Sequence, residues 1–339
     1  MASSSLGQYA TYVRTLRIVL ALPLDEYEGG MYRDVIHQAM SLCTNSTSLT
    51  IYYDQLPGLP LRELGFIDMA VALISRGNLR SLTISSTWAG DSSWWYRHIM
   101  NDGLAILLAG IVPTLDHFRQ LRNLEITSGF ISGDVYDGIR SKATFLDSLT
   151  FRYCLGIALG RIWDEGQIAK WAPNQNLTRL NLINCQNGYA PHIPSLIRHF
   201  SSLRHLFISA CGDFSDVEPP PRQAGWNRES NALWKHRAPL DVLHIEHSLE
   251  WEILALGIIP TRTLVATSLI EGHLFGAFVL DEEIFPGLTL LKISNVSDNT
   301  LNDPRSPSHR SLQEWERILK LRNIELQEGA EWLVNTRGL

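Results

Sequence analysis

The chain has 339 residues, of which 45% are hydrophobic and 19% charged, and its formal net charge is −6. That balance supports a large buried core and excludes a disordered polymer. The acidic excess argues against nucleic-acid phosphate as the main ligand, because affinity for phosphate comes from Lys and Arg. No run reaches the roughly 18 uninterrupted apolar residues of a membrane-spanning helix, so no membrane partner is expected.

At the start, Met1 to Leu6 lacks a charged segment followed by an apolar one, so it does not read as a secretory signal. The sequons at Asn45, Asn176 and Asn295 are then chance matches. The 4 cysteines contain no CxxC pair, which fits a reduced chain of the cytoplasm or nucleus. A first strand is expected at Val13-Arg-Thr-Leu16-Arg-Ile18, followed by a helix from Met31 to Cys43. In that helix Val35, Ile36, Ala39, Met40 and Cys43 form one apolar stripe.

The alternation then repeats. Strand hexamers follow at Ser46-Thr-Ser-Leu49-Thr-Ile51, Leu79-Arg-Ser-Leu82-Thr-Ile84 and Leu121-Arg-Asn-Leu124-Glu-Ile126. Helical patterns at Leu64 to Ile74 and Leu104 to Phe118 separate them, the second interrupted by Pro113. Ser132-Gly133-Asp134 resembles a helix N-cap, predicting a helix from Val135 to Ser141.

Three longer copies come next, each ending in cysteine. They are Leu146-Asp-Ser-Leu149-Thr-Phe151-Arg-Tyr-Cys154, Leu177-Thr-Arg-Leu180-Asn-Leu182-Ile-Asn-Cys185 and Leu203-Arg-His-Leu206-Phe-Ile208-Ser-Ala-Cys211. Their cysteines are expected to bury their thiols in the turn after each strand. A helix from Ile193 to Phe200 precedes the third copy. Residues 212–239 form a turn-rich insertion around Pro219-Pro220-Pro221, where proline stops helix and strand alike. It is a surface loop or a binding loop carrying Trp226 and Trp234.

Further copies lie at Leu240-Asp-Val-Leu243-His-Ile245, Leu288-Thr-Leu-Leu291-Lys-Ile293 and Leu321-Arg-Asn-Ile324-Glu-Leu326, with a degenerate strand near Leu264. Residues 297–311 read as a polar linker to a terminal cap. The recurring L-x-x-L-x-L-x-x-N/C frame is the leucine-rich-repeat signature. It predicts a single α/β leucine-rich-repeat solenoid over residues 1–339. Such a horseshoe has a concave parallel β-sheet and helices on the convex side, with neighbouring repeats sharing one core.

Strand alternation sends the frame's leucines to one face and the residues between them to the other. The third, fifth and seventh places therefore point toward a partner. In the middle of the array these places hold Arg152, Arg179, Asn181, His205, Phe207 and His244. Phe beside Arg is the composition of an interaction hot spot, although Phe207 could equally pack on a neighbouring strand.

Nothing in the chain pairs a nucleophile with a base, and no phosphate-cradling, zinc-protease or nucleophile-elbow motif is present. The glycines between Gly156 and Gly166 have the wrong spacing for a phosphate loop. His244-x-x-His247 would diverge on a strand and is not expected to hold a metal. The acidic clusters Asp281-Glu282-Glu283 and Asp25-Glu26-x-Glu28 read as solvated faces. No cofactor, metal or enzymatic activity is expected. A hydrolase whose site is scattered over distant residues is the alternative from another class.

Tyr9-Ala-x-Tyr-Val13-Arg14-x-Leu16-x-Ile18, the cysteine-ended units and the tryptophan-rich connections resemble the repeat region of F-box/leucine-rich-repeat proteins of mushroom-forming fungi. The resemblance implies a protein partner selected by the repeats, as a substrate for ubiquitination. In that family an F-box before the repeats docks a Skp1-type adaptor. Here only eight residues precede Tyr9. Leu59-Pro60-Leu61-Arg62-Glu63-Leu64 is superficially F-box-like but falls between the second and third repeats. The adaptor-docking half is therefore expected to be missing, which leaves an interaction scaffold. A ligase receptor with a lost or unrecognisable F-box is the alternative.

Overall fold

The computed structural model describes residues 9–20, 35, 38–53, 78–86, 108, 110–130, 138–139, 141–155, 176–183, 200, 202–209, 239–246, 260–266, 285–293 and 316–328. The chain forms two compact units. The first is Met1–Ala158 with Asn174–Leu177 and Cys185–Asn187. The second is Leu159–Pro173 with Thr178–Asn184 and Gly188–Leu339.

In the first unit, β1 (Thr15–Leu20), β2 (Ser48–Tyr53), β3 (Ser81–Ser86), β4 (Asn123–Phe130) and β5 (Ser148–Leu155) follow one another in a parallel sheet. The register aligns equivalent frame places. Leu16, Leu49, Leu82, Leu124 and Leu149 form one row, and Ile18, Ile51, Ile84, Ile126 and Phe151 another. All of them except the half-buried Leu16 are buried. A one-residue slip would turn both rows to solvent, so burial pins the register.

The second unit repeats the plan in β6 (Arg179–Ile183), β7 (His205–Ser209), β8 (Leu240–Glu246), β9 (Thr261–Ala266), β10 (Leu290–Ile293) and β11 (Glu325–Glu328). These strands also pair in parallel in sequence order. The degenerate strand is β9. Thr261 takes the first leucine's place there and is fully buried, with its hydroxyl 3.2 Å from the Thr263 carbonyl and 3.5 Å from that of Leu240.

One hydrogen-bond unit recurs between strands. The carbonyl at the second frame place accepts two N–H groups from the next repeat: Arg14 from Thr47 and Ser48, Arg122 from Asp147 and Ser148, Arg204 from Asp241 and Val242. Arginine at this place also reaches forward. The guanidinium Nη1 donates to the carbonyl just before the next frame: Arg14 to Asn45 at 3.1 Å, Arg122 to Phe145 at 3.1 Å, Arg204 to Pro239 at 3.5 Å. Asparagines just before the frame reach back instead, Asn45 to the Thr11 carbonyl at 2.9 Å and Asn176 to that of Thr144 at 2.6 Å. Backbone polar groups that turns would leave to water are thus paired between repeats. Nothing in the leucine pattern announced this bracket. Arg122→Ala should cost about 1 kcal/mol in urea unfolding, the net value of such a bond. No measurable loss would mean that water replaces it freely.

Helical residues precede several strands. Residues 38–42 are helical before β2, with Met40 and Cys43 buried. Val35 was expected on the same stripe but is 60% exposed. At about 100° per residue, Val35 falls more than a quarter-turn to the side of the face that Met40 and Cys43 bury. Residue 108 and residues 110–111 are α-helical, and the chain then tightens into a 3-10 helix at Val112–His117, with Pro113 in its first turn. Leu108, Ile111, Val112, Leu115 and Phe118 are buried, as their periodicity predicted. The helical residues before β5 run to Lys142, one past Ser141, and Ile139 is buried. A Cβ at Gly138 would collide with the Val112 side chain, so glycine permits that close approach. The helix over Leu64 to Ile74, the cap at Ser132 to Asp134, Cys185, Cys211, the 297–311 linker and nearly all of the 212–239 insertion lie outside the described residues.

Cys154 is fully buried within β5 itself and not in the turn after it. Its thiol lies 3.3 Å from the Ile126 carbonyl and 3.4 Å from that of Arg152. A small weak donor therefore satisfies backbone at the strand end, as expected, from a position still inside the ladder.

The final repeat departs from the expected frame by two residues. Leu291 pairs with Leu326 and Leu290 with Glu325, whereas Ile324 was the expected fourth-place residue. The cause is helix termination. Residues 316–321 are helical, and Asn323 adopts a φ of 58°. The Ile324 N–H bonds the Leu319 carbonyl at 2.9 Å and the Asn323 N–H that of Lys320 at 3.3 Å. This is a Schellman cap, which brings buried Ile324 onto buried Leu319. Leu321 remains in the helix and is 73% exposed. Asn323→Val should cost about 1–2 kcal/mol, since a β-branched residue resists this conformation, while Asn323→Gly should be nearly neutral. Urea midpoints compare them, and equal losses would rule out backbone conformation as the cause.

Candidate functional site

The outward face of the second unit gathers most of the candidate residues. Arg179 on β6 is level with His205 on β7 and Val242 on β8, and Asn181 is level with Phe207 and His244. All six are half-buried. The Phe207 and His244 rings lie 4.4 Å apart between centroids at 37°, a tilted stack. The ring pair presents an apolar patch with polar nitrogens, and Arg179 stands diagonally one row from Phe207. Phe207 thus both packs on the neighbouring strand and remains partly open.

The affinity of His205 for protons is displaced. Its pKa is lowered from the ordinary histidine value, first by burial and then by the Arg179 guanidinium, with Asp241 opposing. The native protein therefore disfavours the imidazolium. As pH falls through about 6.5, the unfolded chain takes up a proton that the native chain declines, so stability falls. His205→Gln should lose less stability than the parent between about pH 7.5 and 5.5, in paired urea titrations. An unchanged pH slope would refute this assignment.

Further along, β9 and β10 extend the same rows. Val265 lies level with His244, and Lys292 with Val265. Val265 is buried although alternation turns it outward, because the longer His244 and Lys292 flank it. Lys292, which its fifth frame place already turns outward, joins the His244 row through Val265 on β9.

Arg152 belongs to the first unit. Its Nε donates to Glu125 Oε1 at 3.2 Å in a half-exposed pair. Such pairs contribute between zero and about 1 kcal/mol. Trp226, Trp234 and His247 lie outside the described residues.

One expected part of the face is closed. Seventh-place residues Ser85, Thr127, Ile183 and Ser209 are buried, as is Thr150 at a fifth place. A short side chain is shielded where a larger one flanks it at cross-strand distance, as Tyr52 flanks Ser85. The accessible face is therefore carried mainly by the third and fifth places.

Among the described residues no group of three His, Cys, Asp or Glu could hold a metal ion, and no helix is long and apolar enough to cross a membrane. Comparison of the sequence with protein-family models returns no match, and comparison with curated proteins returns none either.

Proposed function

We propose that this chain is a non-enzymatic protein-binding array of the leucine-rich-repeat horseshoe type, similar in role to the substrate-recognition arm of F-box proteins. The observation that carries the reading is the register that places Arg179, Asn181, His205, Phe207 and His244 on one strand face with the Phe207–His244 rings in contact. Stacked aromatic surface beside arginine is the chemistry of an interaction hot spot. The repeated architecture supplies an extended surface for a macromolecule. The partner in this reading is a protein, and the chain contributes affinity and no catalysis.

Affinity capture with the full chain as bait, run beside Phe207→Ala, tests the reading. Partners retained by the parent should be lost or strongly reduced on the variant. An identical set on both would refute the reading. Capture of a Skp1-type adaptor together with other proteins would move the role from scaffold to ligase receptor.

A further inference from the structure

We infer that the outward face of β6–β10 receives an extended acidic protein segment with an apolar centre, lying across the strands with its flanking carboxylates about six residues apart. This rests on the protein-binding reading above and adds the partner's chemistry. The whole chain carries 35 acidic against 29 basic residues, yet the third and fifth places of these five strands hold no carboxylate. Arg179 stands at one end and Lys292 at the other, with His205, Phe207 and His244 between them. The acidic residues of β6–β10 themselves stand at other places, Asp241 at the second and Glu246 at the seventh; on β11, beyond this row, Glu325 is level with third-place Leu290 and Glu328 with Ile293. Glu325 in turn accepts a hydrogen bond from Gln327 at 2.7 Å.

The spacing follows from sheet geometry. From β6 to β10 there are four strand intervals of about 4.8 Å, or about 19 Å, and an extended peptide covers about 3.3 Å per residue. Carboxylates about six residues apart would reach both cations, and the residues between them would cross the Phe207–His244 rings. Apolar side chains gain most against such a stack, and the guanidinium holds a carboxylate with two parallel hydrogen bonds. Nucleic acid is disfavoured because two permanent cations over this span neutralise too few phosphates for useful affinity.

Fluorescence polarisation with the full chain tests the inference. The probes are labelled peptides of about ten residues with a Phe-Leu centre and Glu, Gln or Lys at the two flanking positions, plus a short oligothymidine. The Glu peptide should bind at least about tenfold more tightly than the Gln peptide, and the Lys peptide more weakly still. Raising salt from about 0.05 to 0.3 M should weaken the Glu peptide by about threefold or more. Arg179→Gln and Lys292→Gln should each lose about threefold or more, while Arg17→Gln on β1 should lose nothing. Equal binding of the Glu and Gln peptides, tighter binding of oligothymidine, or no binding by any peptide would overturn the inference. A captured protein that needs Phe207 but ignores Arg179→Gln and Lys292→Gln would overturn it too, while sparing the protein-binding reading. Capture indifferent to Phe207 would sink that reading instead.

Discussion

Leu180→Ala should lower the unfolding free energy by about 2–5 kcal/mol, whereas Asn181→Ala, one residue later, should cost about 1 kcal/mol or less. Leu180 is almost completely buried at the fourth frame place, level with buried Leu206 on the adjacent strand. Removing its isobutyl group forfeits transfer energy and leaves a cavity that close-packed neighbours fill only in part. Asn181 points to the opposite face and is half-buried. Its truncation removes polar contacts that water can replace. Urea unfolding of the two variants against the parent measures the difference. Comparable losses would mean that the strand face is assigned the wrong way round.

Phe207→Ala should weaken binding of a captured partner by about 2–4 kcal/mol, roughly 30-fold to 1,000-fold in Kd, the range of an aromatic hot spot. Its cost to stability should be smaller, about 0.5–1.5 kcal/mol, the worth of one aromatic contact such as that with His244. The separation of the two effects carries the argument. A core phenylalanine would show the reverse pattern, with unfolding first and binding intact per folded molecule. Calorimetric binding and urea unfolding on the same preparations distinguish the two cases.

Much of the candidate site was legible because a strand has period two and leucine is strongly apolar. Once Leu180 and Leu182, Leu206 and Ile208, and Leu243 and Ile245 are assigned inward, Arg179, Asn181, His205, Phe207 and His244 have nowhere to point but outward. Parallel pairing of equivalent frame places then sets them side by side. Lys292, at a fifth place of its own frame, was legible as outward in the same way, whereas Val265, which links it to His244, was not, because β9 carries threonine where the frame expects leucine.

The sequence by itself determined the periodic strands, their inward residues and the helical stripe at Met40 and Cys43. Those features follow from local period and from the large free-energy difference between burying and exposing an apolar side chain. Only the tertiary structure decided where the last frame begins, because a Schellman cap at Asn323 carried the helix two residues further than the leucines implied. It also decided that seventh-place Ser85, Thr127 and Ser209 are shielded, since exposure depends on side-chain length on adjacent strands as well as on the residue itself. The arginine brackets at Arg14, Arg122 and Arg204 belong to the same class. Their partners are carbonyls, a group every residue carries, and only the spacing of one repeat against the next brings a particular one within reach.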